Sequence, residues 1–342
     1  MMRAQMYTGK KILVTGGVGS IGRELVRKIL AADPATVRIL DNNETGLFDL
    51  AQELGSPRIR TLIGDIRDRE RLIMAFEGID IVFHAAALKH VPLCEYNPFD
   101  AVKTNVLGTQ NVLDAALTAG VGKVINISTD KAVSPANVMG ATKLLAERLA
   151  TSANYYRGTK KTIFSTVRFG NVLNSRGSVI PLFAMQIERG GPVTVTDPGM
   201  TRFFMDIPSA VGLILSAERI ARGKEIFILK MPALRILDLA EVMIEVLAPR
   251  YGRRPEDIPI EFIGRRGGEK LYEELMTEEE AGNAYESGEM FAIFPKVLPE
   301  DESPGAAAPE GFTKATVHEF SSRKVDLLSR EEIRAIISRI LP

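Results

Sequence analysis

The sequence predicts an α/β protein built on a doubly wound parallel sheet, with a smaller C-terminal domain. Short apolar segments alternate with segments of helical spacing through the first half of the chain. This alternation is typical of repeated strand–helix–strand units. A glycine-rich turn, TGGVGSIG, follows the first apolar segment and precedes an amphipathic one. In sheets of this kind, ligands bind where the strands end.

The strands and helices are assigned in chain order. Six strands are predicted at KILVT (11–15), VRILD (37–41), IRTLI (59–63), DIVFHA (80–85), KVINIS (123–128) and TIFSTVRFG (162–170). Helical spacing is found over 21–32, 68–76 and 99–119, and a further helix begins near Met139. The segment EIFIL (225–229) predicts a late return to the sheet.

The domain boundaries are expected where the alternation stops. Residues 9–170 form the first domain in this interpretation, and its sheet is completed by 205–230. Residues 171–204 and 231–342 form the second domain, which is rich in loop signals and then in helix. The Pro-, Gly- and acid-rich segment 299–312 is expected to be a flexible loop or linker.

The composition narrows the class of protein. Lys plus Arg and Asp plus Glu both number 43, so the zero net charge gives no electrostatic case for nucleic acid or an anionic membrane. The single cysteine, Cys94, excludes an intrachain disulfide and fits a reducing compartment. No apolar run approaches the roughly 18 residues of a membrane span, and the N-terminus lacks the apolar core of a signal peptide. We therefore expect a soluble, cytoplasmic protein.

The glycine-rich turn predicts a dinucleotide site. Gly16, Gly19 and Gly22 permit a tight turn, a close approach of the backbone to a pyrophosphate, and close packing of helix on strand. The intervening Ser20 and Ile21 begin the helix whose N-terminal N–H groups would face the phosphates. A purely structural glycine turn is the alternative interpretation.

Asp41 indicates which dinucleotide binds. It ends the second strand, 19 positions after Gly22, where a carboxylate binds the adenosine ribose hydroxyls and repels a 2′-phosphate. No arginine follows directly, so NAD is favoured over NADP. Asp65, which ends the third strand, is expected either to meet the adenine or to cap a helix. The remaining predicted cofactor contacts are Asn42, Ile66, Ala85, Ala86, Ala87 and Asn105.

No metal site is expected. His84 and His90 have no companions at metal-ligand spacing.

The stretch ISTDKAVSPANVMGATK, residues 127–143, carries the candidate catalytic residues. Met139 and Lys143 are four residues apart, which places them on one face of a helix. The pattern resembles the extended short-chain dehydrogenase/reductase family, in which a Ser or Thr ends strand five and a Tyr-x-x-x-Lys pair opens the next helix. Thr129 and Lys143 match that pattern, and Lys143 would hold the nicotinamide ribose. Met139 stands at the tyrosine position and cannot carry a proton.

The resemblance extends over nearly the whole chain and narrows to one group. The blocks HAAALKHVPLCEYNP, KTNVLGTQNV, RFGNVLNSRGSVIP, DPGMTRFFM and GGEKLYEEL resemble the UDP-N-acetylglucosamine 4,6-dehydratases, some of which carry Met in place of Tyr. The family pattern has a proline where Gly267 or Gly268 stands. The resemblance implies a Rossmann domain that binds NAD and a second domain that binds the nucleotide sugar.

The reaction implied is oxidation at C4, loss of water across C5–C6 and return of the hydride to C6. Lys131 is the candidate base at C5 and Asp130 the candidate acid at C6. Lys131 must be neutral to act, which burial and the nearby Lys143 would favour. Asp130, or a water beside it, would take the O4 proton in place of the tyrosine. In the alternative interpretation, Asp130 and Lys131 only stabilise a loop and Met139 only packs.

The resemblance also implies the residues at the nucleotide end of the substrate. Asn171 would bind the diphosphate, Arg202 would form a fork on a phosphate, and Glu269 would bind the uridine ribose. Further candidate contacts are Ser178 and Val179 in the nucleotide pocket, Arg265 or Arg266 as a second phosphate ligand, and Lys89.

Several alternatives stay open. Asp41 and Met139 favour retention of configuration at C5, and a C5-inverting dehydratase is the close second interpretation. A UDP-sugar 4-epimerase and a non-catalytic dinucleotide-binding protein are weaker ones. The family resemblance also implies at least a homodimer, formed through helices near 99–119 and 139–155.

Overall fold

The computed structural model describes residues 5–173, 177–295 and 308–341. Its strands are β1 Lys11–Thr15, β2 Thr36–Asp41, β3 Ile59–Ile63, β4 Ile81–His84, β5 Lys123–Thr129, β6 Ile163–Phe169, β7 Asn171–Val172, β8 Val193–Val195, β9 Thr201–Met205, β10 Ile226–Leu229, β11 Ala233–Arg235, β12 Ile260–Phe262, β13 Glu274–Met276, β14 Ala284–Glu286, β15 Met290–Ile293, β16 Thr313–Lys314 and β17 Phe320–Ser321.

The α-helices are α1 Ser20–Leu30, α2 Glu44–Leu54, α3 Arg69–Phe76, α4 Val91–Tyr96, α5 Pro98–Ala101, α6 Thr109–Ala119, α7 Val138–Tyr156, α8 Val179–Arg189, α9 Ile207–Ile220, α10 Ile236–Leu247, α11 Glu278–Ala281 and α12 Arg330–Ile340. A π-helical segment, Val102–Gly108, joins α5 to α6, so the segment predicted as one helix over 99–119 is helical but not uniformly α. Short 3₁₀ turns are formed by Asp130–Ala132, Ala248–Tyr251 and Pro255–Asp257.

The main sheet has the strand order of a dinucleotide-binding fold. Seven strands run in the order β3-β2-β1-β4-β5-β6-β10, and all neighbours among them are parallel. The order reverses between β1 and β4, which opens a crevice at the carboxyl ends of the strands. The doubly wound parallel sheet is therefore confirmed, and the late strand predicted at 225–229 is β10.

The sheet also has an extension that the sequence did not predict. Strands β15, β14 and β16 continue it beyond β10 as antiparallel neighbours, so part of the region 231–342 belongs to the main sheet. Each of these strands has two to four residues. A segment that short shows no clear period of two, which explains why its pattern did not reveal it.

Helices cover both faces of the main sheet. Apolar residues of α1, α2 and α9 pack on one face, and those of α3, α6 and α7 pack on the other. Because both faces are covered, the central strands are largely buried, and β4 and β10 are buried at every residue. A separate apolar core joins α8, α10 and α12 to β8 and β9. This second core supports the far wall of the crevice.

A buried ion cluster ties the C-terminal region to the sheet. Arg168 on β6 donates two hydrogen bonds to Glu147 of α7, at 3.1 and 2.7 Å. It also donates to Glu280 of α11 at 3.0 Å and to the carbonyl of Leu275 at 2.8 Å. The side chains of Arg168 and Glu147 are each 1% exposed. The cluster therefore fixes α11 and β13 against the sheet.

Two further predictions concern the segment 299–312 and membrane-spanning helices. Of the segment 299–312, residues 299–307 lie outside the described residues, whereas Pro309 is buried and Phe312 packs against the core. Among the helices that the structure describes, none combines the length and apolar character that crossing a membrane requires.

Candidate active site

A cavity of about 1660 Å³ lies at the carboxyl ends of the parallel strands and continues between the sheet and the second core. Nearly every residue predicted for the site lines it. These residues are Gly16, Gly19, Ser20, Ile21, Gly22, Asp41, Asn42, Asp65, Ile66, Ala85, Ala86, Ala87, Lys89, Thr129, Lys131, Met139, Lys143, Asn171, Ser178, Val179, Arg202 and Glu269. Asp130, Asn105 and Arg265 are not part of its wall, whereas Arg266 is.

The glycine turn forms a tight cradle at one end of the cavity. Gly16 has a φ of 67°, and a Cβ there would lie 2.6 Å from the backbone nitrogen of Ala86. A Cβ on Gly22 would lie 2.2 Å from the carbonyl oxygen of Gly16. Gly19 precedes α1 without a side-chain cap on the helix N–H groups. The turn therefore leaves backbone and helix N-terminus accessible to a pyrophosphate, as a dinucleotide requires.

Two carboxylates stand beside this cradle. Asp41 at the end of β2 accepts hydrogen bonds from the backbone N–H groups of Val18 and Asn43, at 3.1 and 3.0 Å. These bonds hold an anionic group where an adenosine ribose would lie. Asp65 is bound by Arg67, which holds the pKa of its carboxyl below the usual range.

The alternative helix-capping role for Asp65 is wrong. The N-cap of α3 is Asp68, whose side chain accepts from the N–H of Arg71 at 3.0 Å. Asp65 lines the cavity together with Asn42, whose amide nitrogen lies 3.5 Å from the Asp65 carboxylate.

Asn105 and His84 act behind the cavity wall. Asn105 is 1% exposed; its amide accepts from the N–H of Leu88 and donates to the Leu88 carbonyl and to Thr142. It therefore fixes the loop after β4 and does not form the direct contact that the sequence analysis expected. His84 is bound through its two ring nitrogens to Thr15 and Thr109, and burial lowers its pKa to about 3. Within the described part of the chain, no His, Cys, Asp and Glu side chains are grouped so as to hold a metal ion.

In the Thr-Asp-Lys cluster, Thr129 ends β5 and caps a 3₁₀ turn that contains Asp130 and Lys131. The hydroxyl of Thr129 donates to Oδ1 of Asp130 at 2.8 Å, and the Asp130 side chain has no exposed surface. Nζ of Lys131 donates to the same Oδ1 at 3.0 Å and to Oδ1 of Asn171 at 3.1 Å. Thr129 and Lys131 thus face the cavity, while Asp130 lies behind them.

The sequence analysis expected burial and Lys143 to favour a neutral Lys131, but the surroundings favour its charged form. Burial alone would lower the pKa of Lys131, but the charges of Asp130 and Glu273 outweigh it, and the pKa is raised. The positive charge that opposes this rise is that of Arg202. Lys131 is therefore an ammonium ion paired with two carboxylates.

Glu273 is a member of this cluster that the sequence analysis did not single out. It lies in the GGEKLYEEL block, lines the cavity and is 3% exposed. Its Oε1 lies 3.7 Å from Nζ of Lys131 and 3.6 Å from Nε of Arg202. Burial raises the pKa of its carboxyl. Three glutamates occur in this block, and nothing in their spacing distinguishes the one that reaches the cluster.

Helix α7 carries the Met-x-x-x-Lys pair into the cavity. The helix begins after Asn137, whose side chain accepts from the N–H of Gly140 at 2.8 Å. Met139 lines the cavity and packs against Cys94 and Ala101, so it also has the packing role considered from the sequence. Nζ of Lys143 donates to the carbonyl of Ile127 at 2.6 Å, and burial lowers its pKa to about 8.

The nucleotide end of the cavity is built from β9, α8 and the loop before β13. Arg202 donates to the carbonyls of Thr201 and Lys270, both at 2.7 Å, and its Nη2 lies 3.9 Å from Oε1 of Glu269. Ser178 precedes α8, and its buried Oγ has no hydrogen-bond partner among residues 5–173, 177–295 and 308–341. A ligand oxygen or nitrogen would satisfy that hydroxyl.

Gly268 explains why this chain departs from the family pattern. Its φ is 76°, a value that a proline ring cannot adopt. Its carbonyl accepts a hydrogen bond of 3.0 Å from the side chain of Asn137, the residue that caps α7. The loop that carries Glu269 and Glu273 is therefore attached directly to the helix that carries Met139 and Lys143.

Comparison with known sequences identifies one protein family and several relatives. A family model described as polysaccharide biosynthesis protein matches residues 12–295. An uncharacterized membrane protein of Methanocaldococcus jannaschii is 56% identical over 98% of each chain. A UDP-N-acetylglucosamine 4,6-dehydratase (inverting) of Campylobacter jejuni is 42% identical over 85% of each chain. A UDP-glucose 4-epimerase of Rickettsia canadensis is 38% identical over 97% of this chain and 96% of its own.

Some relatives are much longer. The chain spans 46% and 47% of the length of two polysaccharide biosynthesis proteins, CapD of Staphylococcus aureus and EpsC of Bacillus subtilis.

Solved structures share the fold. The structure of Pen from Bacillus thuringiensis matches with a TM-score of 0.89 and 46% identity, over 97% of this chain and 98% of that one. DesIV, a dTDP-glucose 4,6-dehydratase from Streptomyces venezuelae with NAD and TYD bound, matches with a TM-score of 0.66 and 27% identity, over 76% of this chain and 86% of that one.

Proposed function

This chain belongs to the polysaccharide biosynthesis protein family, and from that membership we propose that it is an NAD-dependent 4,6-dehydratase of UDP-N-acetylglucosamine. The product would be a UDP-4-keto-6-deoxy-N-acetylhexosamine. The observation that carries the proposal is the Thr129–Asp130–Lys131 cluster, which faces a cavity large enough for both a dinucleotide and a nucleotide sugar. Relatives named as 4,6-dehydratases support it.

The residues present fit NAD. Gly16 and Gly22 allow the tight turn that a pyrophosphate needs, since a Cβ at either position would clash with the backbone of Ala86 or Gly16. Asp41 offers an anionic oxygen to ribose hydroxyls and repels a 2′-phosphate. Lys143, which also lines the cavity, would bind the nicotinamide ribose. When bound, NAD supplies the hydride acceptor for C4 and the hydride donor for C6, so no external reductant is needed.

Thr129 and Asp130 take over the proton transfer that a tyrosine would perform. Asp130 does not line the cavity, so the O4 proton reaches it through the Thr129 hydroxyl, whose own proton passes to Oδ1 across 2.8 Å. In the elimination step the same hydroxyl returns a proton from Asp130 to the C6 oxygen as water leaves. The proton that left O4 thus departs with the water.

Lys131 acts at C5. As a free amine it removes the C5 proton, and it returns a proton to C5 when the hydride arrives at C6. Because removal and return occur from one side chain on one face of the sugar, this scheme favours retention at C5. Inversion is the second candidate, since the Campylobacter jejuni relative is named an inverting enzyme. Epimerisation at C4 would need neither Asp130 as an acid nor Lys131 as a base.

The test is the reaction with UDP-N-acetylglucosamine in heavy water, followed by mass spectrometry and proton NMR. The proposal predicts loss of one water and entry of deuterium at C5, and the C5 configuration distinguishes retention from inversion. An unchanged mass, with bound NAD confirmed, would contradict the dehydratase proposal. An unchanged mass with a new C4 configuration would support an epimerase, and no reaction with this or other sugar nucleotides would favour a non-catalytic protein.

We also propose that the chain forms at least a homodimer through the helices near 99–119 and 139–155. Phe99, Leu107, Leu145 and Tyr156, on or beside these helices, are large apolar residues with exposed side chains; where such residues form one contiguous patch, they mark a surface that another protein covers. Light scattering after size-exclusion chromatography would measure the mass, and a monomer at micromolar concentration would contradict the proposal.

A further inference from the structure

Glu273 is a buried carboxyl group that the proposed reaction does not yet use. The N–H of Glu273 donates a hydrogen bond of 3.0 Å to the Ser322 hydroxyl, and the N–H of Ser322 donates one of 2.8 Å to the Glu273 carbonyl. These two bonds fix the backbone at Glu273. Its side chain reaches into the cluster, where Oε1 lies between Lys131 and Arg202. Oε2 is buried and has no hydrogen-bond partner within the described ranges of the chain. A carboxyl oxygen in that state has an open position for a proton.

The proposed reaction needs a neutral Lys131, which the cluster in the structure does not provide. Lys131 must be a free amine to remove the C5 proton, yet it stands as an ammonium ion beside Asp130 and Glu273. Asp130 is needed for the O4 proton and cannot also store the ammonium proton of Lys131. Within residues 5–173, 177–295 and 308–341, the other carboxyl at ion-pair distance is Glu273, at 3.7 Å from Nζ.

We propose that Glu273 is a positioning residue that accepts the ammonium proton of Lys131 and so delivers Lys131 to the sugar as a free amine. This inference rests on the proposed 4,6-dehydratase function. In the transfer an N–H bond at Nζ breaks and an O–H bond forms at the Glu273 carboxyl. An ion pair becomes a neutral pair, so the net charge of the cluster does not change. The proton returns to Lys131 after C5 has been reprotonated and the product has left.

The first step of the reaction triggers this transfer. Once Asp130 holds the O4 proton, Lys131 loses the negative partner that lies 3.0 Å from its Nζ. The affinity of Lys131 for its proton then falls, while a substrate that fills the cavity excludes water from the ions. A neutral pair of Lys131 and Glu273 is favoured in such surroundings because two separated charges lose their hydration there.

Four charged side chains act on the Glu273 carboxyl in addition to burial. Burial raises the pKa of its carboxyl, and the charge of Asp130 raises it further. Lys131, Arg202 and Lys270 oppose this rise. Arg202 also donates hydrogen bonds to the carbonyls of Thr201, Lys270 and Leu271, which keep its guanidinium in place when Glu273 becomes neutral. The balance leaves the Glu273 pKa raised, as a proton acceptor for a neighbouring ammonium ion requires.

The test compares wild type, Glu273→Gln and Glu273→Asp, with Glu274→Gln as a matched control. Glu274 is the adjacent carboxylate but does not line the cavity. For Glu273→Gln we expect kcat at neutral pH to fall about 100-fold or more, with little change in KM. Oxidation at C4 should still occur in this variant, and it would be observed as a transient absorbance of reduced nicotinamide. The isotope effect with C5-deuterated substrate should grow, because removal of the C5 proton becomes slower.

The pH profile separates this role from a structural one. In Glu273→Gln the proton of Lys131 must go to solvent, so kcat should rise with pH toward the pKa of Lys131. Wild type and Glu274→Gln should show no such rise around neutrality. If Glu273 were only structural, Glu273→Gln would lose C4 oxidation and elimination together and would show no new pH dependence.

The outcomes distinguish this inference from the proposed function. A wild type that forms no dehydrated product would overturn the proposed function. A productive wild type with a Glu273→Gln variant of equal kcat and equal pH profile would overturn only the role of Glu273. Should Glu273→Gln lose NAD binding, Glu273→Asp decides: a slower elimination with a larger C5 isotope effect supports the inference, and wild-type values for both contradict it.

Discussion

The Thr129 hydroxyl, which lines the cavity, donates a 2.8 Å hydrogen bond to Oδ1 of Asp130, a carboxylate with no exposed surface. A proton acceptor is thus connected to the cavity through a hydroxyl group. In the proposed reaction the proton passes through Thr129 to Asp130, so Met139 can occupy the position at which the family pattern has a tyrosine. Met139 instead packs against Cys94 and Ala101 and closes the wall.

The Thr129 hydroxyl is the first target for mutation. Thr129→Val keeps the shape of the side chain but removes the group that links the cavity to Asp130. We expect kcat to fall about 100- to 10,000-fold, the usual contribution of a positioned proton-transfer group. Thr129→Ser retains the hydroxyl and should retain most of the activity. Steady-state kinetics on both variants checks this, and a Thr129→Val variant as active as Thr129→Ser would contradict the relay.

Lys143 predicts a pH dependence of stability. Burial lowers its pKa to about 8, below the value of about 10.4 expected in the unfolded chain. Between these values the unfolded state binds more protons than the folded state, so this group's contribution to stability rises with pH. Below pH 8 both states bind the proton equally, and the full cost of burying the ammonium group is present.

The measurement is urea unfolding of wild type and Lys143→Met at several pH values. The free energy of unfolding of wild type minus that of Lys143→Met should increase from about pH 8 toward pH 10. The subtraction removes the titration of all other groups that the two proteins share. A difference that stays constant, or falls, over this range would show that the pKa of Lys143 is not lowered.

The Arg168 cluster predicts a large loss of stability. Arg168→Met removes the cation between Glu147 and Glu280 and leaves Glu147, 1% exposed, without its partner. Breaking a buried ion pair from one side costs about 3–5 kcal/mol, and chemical denaturation measures it. The control is Arg254→Met, since Arg254 pairs with Asp257 at the surface, and its loss should change the free energy of unfolding little. Equal effects of the two substitutions would be inconsistent with a buried cluster.

The same cluster should also weaken in acid. Arg168 and other partners hold the pKa of Glu280 below its ordinary value against the opposing effect of burial. A carboxyl with a lowered folded-state pKa contributes stability above its unfolded pKa, and this is lost as the pH falls through the folded pKa. Wild type should therefore lose more stability than Glu280→Gln between about pH 5 and pH 3, near the ordinary glutamate pKa.

Gly22 tests the cradle for the pyrophosphate. A Cβ at this position would lie 2.2 Å from the Gly16 carbonyl oxygen and 2.7 Å from Cα of Gly17, so Gly22→Ala must displace the turn. We expect the affinity for NAD to fall about tenfold or more, which corresponds to at least about 1.4 kcal/mol. Gly288→Ala is the control, because a Cβ there meets no atom within 4 Å. Calorimetric titration with NAD gives both constants, and an unaffected Gly22→Ala would place the phosphates elsewhere.

The sequence predicted those parts of the site that depend only on the succession of strand, turn and helix along the chain. Gly16, Gly19 and Gly22 follow a strand and open a helix, and this order alone brings backbone N–H groups to the sheet edge. Thr129 and Lys143 were found for the same reason, since one ends a strand and the other lies one turn inside the next helix. The alternation of strands and helices similarly predicted a doubly wound parallel sheet, because each strand–helix–strand unit brings two parallel strands together.

Glu273, the charge of Lys131 and the place of Asp130 could not be predicted in this way. Glu273 reaches Lys131 across 142 positions of the sequence, through a loop that Gly268 attaches to α7 and a strand that Arg168 and Glu280 help to hold. The pKa of Lys131 is set by which charges this packing brings near, and burial acts on it in the opposite direction.

The sequence by itself therefore determined the sheet, the dinucleotide turn and the identity of the Thr-Asp-Lys cluster, since periodicity and neighbouring residues dictate these locally. Only the tertiary structure decided that Asp130 lies behind Thr129, that Met139 closes a wall, and that Glu273 completes the cluster. The physical reason is that proton affinity depends on distance and burial, and both are set by segments that are far apart in the chain.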